Sequence, residues 1–515
     1  MRRSLVAIAS LLAASSLLAA CTPDRAQIEP SNPAVTAATA EQGEVVAPDS
    51  AAVYQQDASW SRCGELECAT LQVPVDWSDP NGPTTDLVIN RHAATDAGAR
   101  IGSLLINPGG PGGSGLDLTA SFVAMAGEQV LASYDIIGFD PRGVGESTPL
   151  ACGDAADIDA YYLTDLFLDS EQAIEQARQA TADFAERCRD LSGPLVENVD
   201  TSSAARDMDV IRAVVGDDEL HYLGYSYGTQ LGATYAELFP ERIGRMVLDG
   251  AVDFTLPVEE QAEGQAAGFE GALMNFIDWC LAEQETCPLD DDREAARQQV
   301  EDIALHARDE GYPTPDGTTV NGNLMVYGMV VTMYDEASWI YLEAGIDEVM
   351  ERGTADIFNQ LAGFYLDKDP TTGEYLSNGQ WAFTAIGCLD GGDTEPYTVE
   401  TLKEFKAAME GASPTFGWWF ASSVGCDGWP WTSREPVTAL DAADGAAPIL
   451  VIGTTHDPAT PYAWAESLSE QLASSTLLTY EGEGHTAYGR SNQCILEAVD
   501  GYLVDGEMPV SGKRC

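Results

Sequence analysis

Leu220-His221-Tyr222-Leu223-Gly224-Tyr225-Ser226-Tyr227-Gly228 sets a G-x-S-x-G pattern directly behind a short apolar run and directly ahead of Thr229-Gln230-Leu231-Gly232-Ala233-Thr234-Tyr235-Ala236, which reads as a helix. Strand, sharp turn and helix in that order make a nucleophile elbow: the turn forces the serine into a strained backbone and pushes its hydroxyl into the open. A side chain at either flanking glycine would collide with the neighbouring strand or helix. An ordinary strand-to-helix turn with a capping serine would share the five residues. Whether a base, an orienting acid and an oxyanion site follow in the right order decides between the two.

Upstream, the segments Ala69–Val75 and Asp86–Arg91 alternate or run apolar and predict strands at a sheet edge, where Pro74 is tolerated. Gly102–Asn107 predicts a short buried strand running straight into Pro108-Gly109-Gly110-Pro111-Gly112-Gly113-Ser114-Gly115. Bare glycine backbone lets N–H groups approach a ligand, and in a serine hydrolase such a loop donates one of two oxyanion hydrogen bonds. The other comes from the residue after the nucleophile, here Tyr227. A phosphate loop would need a Lys-Ser/Thr ending, which is missing. Tyr134–Phe139 predicts the next strand, and Arg142 in the Asp140–Ser147 run behind it reads as a structural pin between loops. Helices are predicted over Ser170–Leu191 and Thr201–Val215, the second with Ala205, Met208, Ile211 and Val215 on one face; Arg245–Gly250 predicts another strand.

Strands alternating with helices imply a mostly parallel sheet covered on both faces. That rhythm stops near Asp253; residues 254–440 are mainly helical in pattern and read as a cap inserted between core segments 51–253 and 441–515. The aromatic clusters Trp418-Trp419-Phe420 and Trp429-Pro430-Trp431 read as core or lid packing. The sheet pattern returns at Ala447–Gly453 and ends in His456-Asp457-Pro458-Ala459-Thr460-Pro461, and a last strand over Ser475–Tyr480 precedes Glu481-Gly482-Glu483-Gly484-His485. Ser226, Asp457, His485 is the chain order of an α/β-hydrolase triad. Histidines are scarce enough for elimination: His92 lies on an early strand, His221 before the elbow and His306 in the cap, while His456 abuts the acid. Asp249 competes as the acid because it too ends a strand, but the Asp457 loop lies at the strand end beside that of His485. His485 would act as general base and Asp457 would hold its tautomer.

The formal charge of −58 works against nucleic acid as a partner and fits a solvated acidic surface. Arg2-Arg3 ahead of apolar Leu5–Ala20 reads as a secretory signal over residues 1–20, and Leu18-Ala19-Ala20-Cys21 as a lipobox in which Cys21 is lipidated. Residues 21–50 lack an apolar period and read as a flexible tether. The expected location is therefore the outer face of the cell membrane, held only through Cys21, or the medium. Setting Cys21 aside leaves ten of the eleven cysteines, an even number suited to disulfides. Neighbouring partners suggest Cys63 with Cys68, Cys152 with Cys188, Cys280 with Cys287, Cys388 with Cys426 and Cys494 with Cys515, though sequence alone leaves the pairing open. The absence of Cys-x-x-Cys and the five histidines argue against a metal, and no cofactor is expected.

Taken together, the runs Asn107–Gly115, Asp140–Ser147, Gly224–Thr229, Asp457–Pro461 and Gly484-His485-Thr486 resemble the exported tripeptidyl aminopeptidases of actinobacteria, α/β-hydrolases related to proline iminopeptidases. The resemblance extends from Trp60 to Cys515, including the closing Tyr502-Leu503, Gly506 and Pro509. It implies a serine exopeptidase that removes short peptides from a free N-terminus, with Ser226, Asp457 and His485 as triad, Gly110 and Tyr227 as oxyanion donors, and Thr460 supporting the triad. Proline iminopeptidases carry a His-Gly-Gly-Pro-Gly loop; Pro108 stands where that histidine would be, which favours the tripeptidyl branch. A desolvated substrate ammonium needs an acid, for which Glu259, Glu260 and Asp390 are candidates. Two other readings stay open: an esterase or lipase using the same triad, and a peptide-binding surface lipoprotein whose triad is idle.

Overall fold

The computed structural model describes residues 52–282, 287–369, 372–391, 395–422 and 424–515. The expected signal, the expected lipidation site Cys21 and the expected tether lie outside the described residues.

A nine-stranded sheet carries the fold. Its strands are β1 (Ser61–Cys63), β2 (Leu66–Pro74), β3 (Thr84–His92), β4 (Gly102–Asn107), β5 (Tyr134–Phe139), β6 (Leu220–Tyr225), β7 (Ile243–Asp249), β8 (Ile449–His456) and β9 (Thr476–Glu483), in the spatial order β1-β2-β3-β5-β4-β6-β7-β8-β9. The first three run antiparallel to their neighbours; from β5 to β9 every pairing is parallel. Parallel strands covered on both faces must be apolar on both, and all six residues of β4, β5 and β6 are buried. Leu105, Tyr222 and Leu248 face one core, while Leu104, Ile106, Leu223 and Val247 face the other with Phe122 and Ile495.

The helices that matter here are α1 (Gly115–Met125), α2 (Glu171–Ser192), α3 (Thr201–Val214), α4 (Tyr227–Leu238), α5 (Val258–Ala282), α6 (Gly322–Val330), α7 (Gly379–Asp390) and α8 (Gln493–Asp505). Among them, α3 departs from its expected one-sided pattern. Its polar residues Asp207, Asp209 and Arg212 are buried as well, because they are paired. Asp207 takes a bidentate grip from Arg142 at 2.7 and 2.5 Å, and Asp209 binds Arg212 and Arg242. Arg142, itself 0% exposed, spends its remaining donors on the carbonyls of Pro74, Val75 and Asn198, the loop-pinning role its position suggests.

Between β7 and β8 the chain builds a helical insertion in two parts. Residues of α5 and α6, including Leu273, Phe276, Met325 and Met329, form a core of their own with Phe358 and Trp418. In contrast, α7 turns back to the sheet: Ala382, Ala385, Ile386 and Leu389 join the sheet core together with Trp429 and Leu440. The five disulfides join the neighbouring partners: Cys63–Cys68, Cys152–Cys188, Cys280–Cys287, Cys388–Cys426 and Cys494–Cys515. Such a set belongs in an oxidising, exported setting. No helix among the described residues is long and apolar enough to cross a membrane.

Candidate active site

Strand register gathers the site. Asn107 lies opposite Gly224, Tyr225 opposite Asp249, Asp249 opposite Ile452, and His456 opposite Glu483. The loops that follow β4, β6, β7, β8 and β9 therefore leave the same edge of the sheet, the carboxyl edge where open α/β sheets place their ligands.

Ser226 sits at φ 55° and ψ −125°, a positive φ that a non-glycine residue rarely adopts. The strain is held in place from three sides. Ser226 N donates to the Asp249 carbonyl at 2.9 Å, while Thr229 N and Thr229 Oγ1 donate to the Ser226 carbonyl at 2.8 and 2.6 Å. The elbow glycines are there for space: a β-carbon on Gly224 would fall 2.3 Å from the Gly228 carbonyl oxygen, and one on Gly228 2.8 Å from Asn107 Oδ1.

The loop after β4 wraps this turn. A β-carbon on Gly109 would come within 2.9 Å of Ser226 Cβ and 3.0 Å of Tyr227 N, so the loop backbone lies against the serine. Asn107 Oδ1 takes the Gly109 N–H at 2.9 Å. Among the described residues neither the Gly110 N–H nor the Tyr227 N–H, the latter in the first turn of α4, has a protein acceptor. These are the two N–H groups that the sequence offered as oxyanion donors.

The residues expected as acid and base, Asp457 and His485, come from the loops after β8 and β9. His485 Nδ1 lies 2.9 Å from both Asp457 oxygens. The carboxylate also collects the N–H groups of Ala459, Thr460 and Thr486 and the Thr460 hydroxyl, at 2.8 to 3.1 Å. Thr460 Oγ1 stands 3.3 Å from His485 Nδ1, within the same cluster. The His485 loop is clamped by Arg490, which donates to the carbonyls of His485 and Thr486, and by Tyr334 from the insertion, whose carbonyl accepts the His485 N–H.

Among the described residues Asp249, the rival acid, makes no side-chain hydrogen bond to the imidazole. Its oxygens accept the N–H groups of Ala487 and Tyr488 at 2.7 to 3.1 Å, just beyond the histidine. Burial pushes its carboxyl up to about 6 against the pull of those N–H groups. The other histidines stand elsewhere. Burial, helped by Arg245 and Arg100, pushes His221 down to about 4, and its Nδ1 accepts the Arg245 N–H at 2.9 Å. His456 is exposed and bonded to Glu483.

Sequence offered Glu259, Glu260 and Asp390 for an ammonium group. The structure leaves Glu259 and Glu260 in solvent, because residues 257–260 at the start of α5 are exposed throughout; Glu259 accepts only the Tyr397 hydroxyl at 3.3 Å. Asp390, at the end of α7, is half-buried and faces Thr201, not the triad. None of the three hydrogen-bonds a triad residue among the described residues. Tyr334, Arg490, Asn107 and Thr201 had no assigned part in the sequence reading. Only Asn107 and Thr201 carried a signal, as the residue opening the glycine loop and the first residue of a helix.

Two family models match: residues 102–320, with the glycine loop and Ser226, fit "alpha/beta hydrolase fold", and residues 413–515, with Asp457 and His485, fit "TAP-like protein". The serine protease Hip1 of Mycobacterium tuberculosis is 35% identical over 484 residues, covering 89% of this chain and 91% of that protein. Carboxylesterase B of the same organism is 35% identical over 506 residues, covering 94% of each. The tripeptidyl aminopeptidase of Streptomyces coelicolor is 31% identical over 469 residues, covering 89% of this chain and 84% of that protein.

Proposed function

The chain belongs to the TAP-like family of α/β-hydrolases, and from that membership we propose that it is a serine exopeptidase releasing short peptides, tripeptides in the first place, from the free N-terminus of peptide substrates. The observation that carries the reading is the contact of His485 Nδ1 with Asp457 at the same sheet edge as the strained Ser226 elbow.

In this reading Ser226 Oγ attacks the scissile carbonyl while His485 takes its proton, and Asp457 holds the imidazole tautomer and steadies the cation that forms. The N–H groups of Gly110 and Tyr227 hold the developing oxyanion, a task that fixed dipoles perform without reorganising. His485 then protonates the leaving amine, and water, deprotonated by the same histidine, releases the acyl peptide. Thr460 supports the acid through its hydroxyl bond to Asp457. No cofactor enters these steps.

Matched chromogenic tripeptide amides with free and acetylated N-termini test the proposal, with Ser226→Ala as control. Cleavage of the free form alone, lost in the variant, is expected; equal cleavage of both forms would refute the aminopeptidase reading. The second reading, an esterase with the same triad, draws on the carboxylesterase B relative, and turnover of a short-chain ester without any peptide cleavage would establish it. Lipidation at Cys21 belongs to the same proposal: a Cys21→Ser form should leave the membrane fraction for the medium, and unchanged membrane retention would count against the anchor.

A further inference from the structure

Tyr227 has a second connection besides its backbone N–H. The residue is 5% exposed, and its phenol oxygen lies 2.5 Å from Thr201 Oγ1. Thr201 Oγ1 is in turn 2.5 Å from Asp390 Oδ2, and the Thr201 N–H donates to Asp390 Oδ1 at 2.9 Å. The proton directions follow from the groups. The Thr201 hydroxyl donates to Asp390, as its N–H does, and with its single proton used there the Thr201 oxygen is left to accept from Tyr227. The chain therefore runs from the Tyr227 O–H to the Thr201 O–H to the Asp390 carboxylate.

Three elements meet in it: the first residue of α4, the first residue of α3 and the last residue of α7. Asp390 is fixed from behind, since Cys388 is joined to Cys426 and the Leu389 carbonyl accepts the Ser433 N–H at 2.9 Å. Burial pushes the Asp390 carboxyl up to about 7, with Asp200 adding to the rise. A carboxylate kept in so unfavourable a place is the kind of group that functional sites retain.

We propose that Asp390 and Thr201 are positioning residues for the oxyanion site: by holding the Tyr227 phenol they fix the first turn of α4, and with it the direction of the Tyr227 N–H beside Ser226. The inference rests on the serine-hydrolase reading above. It gives Asp390 a task different from pairing with a substrate ammonium, and it ties the insertion to the reacting centre through α7.

The test measures the rate at which a fluorophosphonate labels Ser226, which needs no knowledge of the substrate, together with kcat and KM on whichever amide or ester is turned over. Asp390→Asn, Thr201→Val and Tyr227→Phe should each slow labelling about tenfold, a fraction of what losing a whole oxyanion donor costs. Their kcat should fall with KM nearly unchanged, and Thr201→Val/Tyr227→Phe should be no slower than either single variant, since both break one chain. Tyr227→Phe removes a single oxygen and keeps the test open should Asp390→Asn fail to fold. Labelling at the unmodified rate in Tyr227→Phe and Thr201→Val would overturn the proposal. So would a raised KM for free-N-terminus peptides in Asp390→Asn with labelling unchanged, which would return Asp390 to the ammonium. A parent protein that is not labelled at all would overturn the serine reading and this inference with it.

Discussion

Tyr334 stands edge-on to His485, with ring centroids 5.4 Å apart and planes at 89°, while its carbonyl accepts the His485 backbone N–H at 3.0 Å. A residue of the insertion thus holds His485 by both its main chain and its ring. Tyr334→Ala keeps the carbonyl and removes the wall against the imidazole. We expect kcat to drop by roughly tenfold, in line with the cost of loosening a general base. Unchanged kcat would show that the Asp457 contact alone orients the ring.

Asp457 and Asp249 are separated by a paired measurement. Asp457→Asn leaves the imidazole without its carboxylate and should lower kcat/KM by about 10³ to 10⁴. Asp249→Asn disturbs only the Ala487 and Tyr488 N–H bonds beyond the histidine and should cost about tenfold or less. The reverse order would exchange the two roles.

Asp249 also makes a pH signature. Its carboxyl is lifted from 3.8 to about 6, first by burial and against the bonds from Tyr488 and Ala487. Between those values the folded chain keeps a proton that the unfolded chain has lost. This group therefore favours the fold at low pH, and that contribution, roughly 3 kcal/mol, is lost as pH rises through 6. The Tm of Asp249→Asn relative to the parent should climb by a few degrees between pH 4 and 7.5; a constant difference would mean that the carboxyl is not perturbed.

The Arg142–Asp207 pair is fully buried, at 0% and 1% side-chain exposure. Arg142→Met leaves Asp207 as an uncompensated buried charge and should cost about 3 to 5 kcal/mol in denaturant unfolding. Adding Asp207→Leu should recover much of that loss. Equal destabilisation in the single and double variants would place the cost in the carbonyls of Pro74, Val75 and Asn198 instead.

Much of this was legible before the structure. Strands buried on both faces leave continuous apolar runs such as Tyr134–Phe139, whose bounds the structure reproduces. The elbow and its glycine loop are legible because close backbone approach admits only glycine, and that constraint is local. Boundaries set by partners were harder. The last strand runs on to Glu483, past Tyr480, because β8 keeps pairing as far as His456. Likewise α5 begins at Val258, where its exposed acidic first turns hide the apolar period that is visible from Phe269 onward. Least legible were the contacts of the insertion. Tyr334 reaches His485 and Asp390 reaches Thr201 across more than a hundred residues, and among 83 acids no local pattern marks the one that reaches the Thr201 hydroxyl.

The most direct test of the central claim is the mass of the first product. Purified protein lacking residues 1–21 would be given a nine-residue peptide with a free N-terminus, and its products followed by mass spectrometry from the earliest time points, beside the Ser226→Ala form. The account expects the N-terminal tripeptide and the remaining hexapeptide to appear together and first, with nothing released by the variant. Release of single residues, internal cleavage, or an intact peptide under conditions where a short ester is hydrolysed would contradict it.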